Sequence, residues 1–125
     1  MSQVSPIASL EEATGVVVPA GANNNQTVTL HTATQDGLAL IVNITTATTA
    51  TLLVTISGVS ASGYVWPILT STSLTAVGVT VLRIGPSLVA AANLTVNDLL
   101  PAQLRIAVTV TGTIVYGIDY DVSGF

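Results

Sequence analysis

Four stretches of this chain alternate apolar and polar residues with a period of two, a pattern that fits strands and not amphipathic helices. Leu40, Val42 and Ile44 alternate with Ile41, Asn43 and Thr45. Leu52, Val54 and Ile56 alternate with Thr51, Leu53, Thr55 and Ser57. Leu104, Ile106, Val108 and Val110 alternate with Arg105, Ala107, Thr109 and Thr111. Ile114, Tyr116, Ile118, Tyr120 and Val122 alternate with Val115, Gly117, Asp119 and Asp121. Each segment turns one apolar face to a core and a Thr-rich face outward. The dominant residues from Gln26 onward are Thr and Val, whose branched Cβ suits a pleated surface.

Turn residues punctuate these runs at Asp36-Gly37, 58–63, Gly78, Gly85-Pro86 and from Asn97-Asp98 to Pro101. Thr111-Gly112-Thr113 reads as a tight connection, which makes residues 104–110 and 114–122 a C-terminal β-hairpin. The gaps leave no room for crossover helices, and residues 87–93 read as a loop or a helical turn. The expected fold is therefore all-β: a single antiparallel β-sandwich or barrel, jelly-roll or Ig-like. Residues 1–25 differ, with both glutamates, Pro6, Pro19, a polar Gly21-Ala22-Asn23-Asn24-Asn25 run and a β-prone Val16-Val17-Val18 island. They read as an extended N-terminal arm packing on the domain or on a neighbour, ahead of an antiparallel β domain spanning 26–125.

The second constraint is charge. Only 6% of the 125 residues are charged, against about one-quarter in an ordinary soluble domain. The cations are Arg83 and Arg105 alone, and the formal net charge is −4. Two isolated arginines cannot displace the counterions of a nucleic acid, nor hold an anionic membrane surface. No apolar run reaches the ~20 residues of a spanning helix. The first residues, MSQVSPIASLEEATG, lack the basic and apolar regions of a secretory signal, so synthesis and use from a cytoplasm are expected. With no cysteine, disulfides, thiolate chemistry and Cys-based metal sites are excluded.

Few residues offer chemistry. His31 is the only histidine and reads as a strand residue facing solvent or an interface, since too few acids accompany it to complete a catalytic site. Asp119 and Asp121, two apart on one strand, aim their carboxylates the same way. Such a pair can bind a hard cation, but on an outer strand face it more often discourages edge pairing. Arg83, on the face of Val79 and Val81, and Arg105, on the outer face of its strand, are candidates for ion pairs within the chain or with a neighbouring subunit. Tyr64 and Trp66, in Tyr64-Val65-Trp66-Pro67, fit either an interface hot spot or sugar stacking, with core filling by Trp66 as the simpler reading. The Asn-x-Thr sequons at Asn25, Asn43 and Asn93 read as coincidences of a Thr-rich chain. No phosphate-binding, dinucleotide, nucleophile-elbow or zinc pattern occurs, so neither enzyme activity nor a cofactor is expected.

Neutral β-branched faces and edges without lysine are an association hazard, tolerated when sister subunits or a larger lattice cover them. Val16, Val17, Val18, Tyr64, Trp66, Arg83 and Arg105 are the candidate interface residues. The blocks Ser60-Ala61-Ser62-Gly63-Tyr64, Ile68-Leu69-Thr70-Ser71-Thr72-Ser73-Leu74-Thr75-Ala76-Val77-Gly78-Val79-Thr80-Val81-Leu82-Arg83-Ile84, Ala90-Ala91-Ala92-Asn93, Asn97-Asp98-Leu99-Leu100-Pro101 and Leu104-Arg105-Ile106-Ala107-Val108-Thr109 resemble small virion proteins of tailed bacteriophages. This likeness spans roughly residues 58–120 and rests on composition-biased blocks, not on a catalytic signature. It implies a capsid decoration, or cement, protein on the virion surface, assembled as a homo-oligomer, often a trimer, and bound to the major capsid protein. An N-terminal arm would engage capsid protein or a neighbour. The alternatives are a tail, neck or fibre component and a carbohydrate- or receptor-binding β-module using Tyr64 and Trp66.

Overall fold

The computed structural model describes residues 14–32, 36–86, 88–98 and 100–123. Seven strands follow one another: β1 (Thr14–Ala22), β2 (Gln26–His31), β3 (Gly37–Val59), β4 (Val65–Thr70), β5 (Gly78–Gly85), β6 (Thr95–Asn97) and β7 (Gln103–Ser123). Strands take up 74% of the described residues, and no helix occurs among them. The all-β expectation therefore holds, as a single open sheet.

Two very long strands, β3 and β7, build the scaffold. They pair antiparallel from Gly37–Ser123 at one end to Gly58–Leu104 at the other. Each also carries two shorter strands end to end. β1 pairs with the C-terminal half of β7 and β2 with its N-terminal half. β5 pairs with the N-terminal half of β3 and β4 with its C-terminal half. The short β6 runs parallel to β5, which makes the sheet mixed and not purely antiparallel as expected. A three-residue strand needs only a loop to reach parallel register, so no crossover helix is required. Residue 88 onward to Asn93 is that loop; Asn93 sits at φ 62 and its side chain donates to the Thr70 carbonyl at 2.8 Å.

The expected C-terminal hairpin is corrected: residues 103–123 are one strand that does not reverse at Gly112. Alternation is blind to this difference. Residues 110 and 114 share a face whether they oppose each other in a hairpin or follow each other along a strand. What happens at Gly112 is a bulge in the partner strand. Thr48 pairs with Thr113 and Thr51 with Thr111, so Thr49 and Ala50 together oppose Gly112. A second extra residue lies between Ile44 and Thr46. One bulge inverts the faces of everything beyond it; two restore them. Accordingly Leu38, Leu40, Val42 and Ile44 face the core before the bulges, and Ala50, Leu52, Val54 and Ile56 after them.

The buried side chains form one cluster drawn from both halves of the β3–β7 ribbon, with Leu82 and Ile84 from β5 and Val17 and Val18 from β1. Leu40, Leu52, Ile56, Leu104, Ile106, Tyr116 and Ile118 lose all contact with water, and each such side chain contributes about 1.5–3 kcal/mol. Two buried polar side chains, Ser71 and Thr32, have hydrogen-bond partners. The Ser71 hydroxyl accepts the Val54 N–H at 3.0 Å and donates to the Thr72 carbonyl at 2.8 Å. Thr32 donates its hydroxyl to the Pro101 carbonyl at 2.5 Å and its N–H to that of Ala102 at 2.8 Å. Of the segment expected as an arm, residues 14–22 are strand β1 within the sheet, and residues 1–13 lie outside the described residues.

Candidate functional site

The sheet's outer face is defined by the residues between the core positions. On β5, Leu82 and Ile84 are buried and Arg83 is exposed; on β7, Tyr120 and Val122 are buried and Asp121 is exposed. Register then sets the neighbours. Ala39 of β3 pairs with Arg83 on one side and Asp121 on the other, and Thr14 of β1 lies beyond Asp121. The next outward row is Val81, Ile41, Asp119 and Val16, and the one after it includes Val79, Asn43 and Gly117.

 The face thus has an apolar centre, a pair of carboxylates on one flank and a guanidinium on the other. Val16 is 61% exposed and Val79 62%, while Ala39, Ile41 and Val81 are half-buried. Among the described residues, Arg83, Asp119 and Asp121 make no ion pair with one another, because Arg83 and Asp121 stand two strands apart, roughly 10 Å. Shallow depressions lie over both flanks, one bordered by Ala39, Arg83, Leu88 and Asp121, the other by Thr14, Val16, Ile41 and Asp119.

The interface candidates therefore separate. Val16 is on the outer face, but Val17 and Val18 are 6% and 1% exposed and belong to the core. The register shift between Val16 and Val18 turns two successive valines inward, so strict alternation fails there. Arg83 and Arg105 are both exposed, on different halves of the outer face. Arg105 lies between Thr29 and Ser57, among threonines.

Tyr64 and Trp66 lie at the far end of the sheet. The turn at residues 60–63 closes with the Gly63 N–H donating to the Ser60 carbonyl at 2.9 Å, and the Ser60 hydroxyl accepts the Tyr64 N–H at 3.0 Å. Tyr64 is 76% exposed. Trp66 pairs with Gly58, and its indole occupies the space a side chain on Gly58 would fill. It remains 43% exposed, so it caps the margin of the core instead of filling its centre as expected.

His31 is an exposed residue at the end of β2, opposite Gln103. Asp119 and Asp121 both face outward, as their spacing implies, and no cluster of three metal-ligating residues occurs among the described residues. Two sequon asparagines have structural partners. Asn25 Oδ1 accepts the Val110 N–H at 2.8 Å, continuing the pairing past the start of β2, and Asn93 binds Thr70 as above. The Tyr116 hydroxyl donates to the Asn24 carbonyl at 2.7 Å, and burial pushes its pKa up to about 12.

The outer row Arg83–Ala39–Asp121 has no signature in the sequence: its members lie in three distant strands, and only register joins them. No protein-family model, curated protein or solved structure matches this chain.

Proposed function

We propose that this is a non-enzymatic structural protein of a phage virion, which binds the outside of the head as a homo-oligomer and stabilises the capsid lattice. The observation that carries the reading is the outer surface of a well-packed sheet. It is rich in Thr and Val, it exposes Val16 and Val79, and the chain has only two cations to guard it. Such a surface is stable in water when it is covered. In this reading the two halves of the bent ribbon close over their shared core as a sandwich. Residues 1–13, ahead of β1, serve as the arm that reaches capsid protein or a neighbouring copy. The likeness of residues 58–120 to small virion proteins supplies the capsid as partner.

The test is binding to expanded phage heads by the full chain and by a version lacking residues 2–13. A deletion of residues 2–24 would also remove β1, taking Val17 and Val18 out of the core and leaving Ile118 without its partner, so the shorter deletion is the cleaner one. Binding by an oligomer, weakened by the deletion, is the expected result. A stable monomer with no affinity for heads overturns the proposal.

The exposed Tyr64 and Trp66 support a second reading, a carbohydrate- or receptor-binding module at the β3–β4 end. Binding to a glycan array that disappears in Trp66→Ala would favour it over the capsid role.

A further inference from the structure

One row on the outer face of β7, β3 and β5 has a charge pattern that complements itself, while in the next row Asp119 stands opposite Val81. Arg83, Ala39 and Asp121 form one row across three adjacent strands, with the small residue in the middle and opposite charges at either side. Consider a two-fold axis parallel to β3 and lying just above Ala39. Rotation about it keeps each row in place along the strands and exchanges left for right. It sets Arg83 of a second copy over Asp121 of the first, and Arg83 of the first under Asp121 of the second. Ala39 meets its own equivalent, and so does Ile41 in the next row.

We infer that this face is a two-fold contact between copies of the chain, built on paired Arg83–Asp121 bridges around an Ala39 and Ile41 centre. The inference deepens the assembly reading above and rests on it. The occupant is a second copy because the chain itself supplies both halves of the charge pattern, and because among the described residues neither Arg83 nor Asp121 has an ionic partner in its own chain. Sheets stacked face to face sit about 10 Å apart, a gap that the long arginine side chain spans and the short Ala39 does not obstruct. The bidentate fork of arginine suits a carboxylate presented in this way. Threonines on the outer face of the other half, including Thr109 and Thr111, offer no such pairing.

The chain contains no cysteine, so a single Ala39→Cys substitution introduces a unique thiol. A two-fold axis brings equal residues together, which a head-to-tail contact does not. The full-length Ala39→Cys protein is treated with a short bis-maleimide and scored for covalent dimer, with Thr109→Cys as the control on the other half. Asp121→Arg and Arg83→Asp are each added to Ala39→Cys, then both together. Circular dichroism verifies that every variant is folded.

The expected result is a dimer through position 39 and none through 109. Either single reversal, counted twice across the axis, weakens association about ten-fold or more, and the double reversal restores it. An oligomer that does not cross-link through position 39, or whose association ignores both reversals, overturns the two-fold contact and leaves the assembly reading standing. A protein that stays monomeric by sedimentation overturns both.

Discussion

Replacing Gly112 with alanine tests the continuous β3–β7 pairing more sharply than any core substitution. Gly112 has φ 74, in the left-handed region that an L side chain enters at a cost of about 1–2 kcal/mol. A Cβ there would also lie on the Thr49 carbonyl oxygen and 2.8 Å from the Ala50 Cα, so backbone must move at the bulge. Shifts of that kind cost about 1–3 kcal/mol. The two contributions together give a loss of about 2–5 kcal/mol, a large part of the ~5–15 kcal/mol that holds a domain folded. Gly63, at φ 90 with open space around it, is the control, and Gly63→Ala should cost the conformational part alone, about 1–2 kcal/mol. Urea titrations followed by far-ultraviolet circular dichroism, at equal protein concentration, measure both. With a slope of about 1–3 kcal/mol per molar, Gly112→Ala should lower the midpoint by at least roughly 0.7 M. If it costs no more than Gly63→Ala, no opposing strand crowds Gly112 and the continuous β7 is wrong.

Ile106→Ala, at a fully buried position, should cost about 2–5 kcal/mol by urea titration, and Thr109→Ala on the outer face less than ~0.5 kcal/mol. Ultraviolet titration should show one of the three tyrosines ionising near pH 12, and Tyr116→Phe should remove that step. Burial raises the folded-state pKa above the unfolded value near 10, so the unfolded chain releases its proton first. Stability from this group is complete below about pH 10 and is lost as the pH rises through about 12. Gly58→Val should push the only indole off its seat, shifting tryptophan emission to the red; unchanged emission would show that Trp66 does not lie over Gly58.

Much of the core is legible in the sequence, because alternation reports which side of a strand faces inward. Every even-numbered residue from Ile114 to Val122 and from Leu104 to Val108 is buried as its period requires; between them Val110 is half-buried and Gly112 exposed. The period does not report how segments join. Residues 104–110 and 114–122 have the same parity in a hairpin and in a single strand, so a Gly flanked by threonines reads as a turn. The bulges do leave a trace: Ile44, Ala47 and Ala50 are spaced by three, and all three lie in or against the core. Strand β1 is obscured by Pro19, Gly21 and the register shifts that break its alternation. Trp66 depends on a partner outside its own segment, since Gly58 provides its seat. The outward row of Arg83, Ala39 and Asp121 is a property of register, which long-range pairing sets and local pattern does not.

The assembly proposed above requires that this sheet does not stand alone in water. Sedimentation equilibrium of the full chain over a range of concentrations tests it directly, because the 12.6 kDa mass of a single copy is easily told from its multiples. A defined multiple of that mass is expected at micromolar concentrations and above, with association that weakens when Arg83 and Asp121 carry the same sign. A single species of 12.6 kDa at every concentration, soluble and stable, would contradict it.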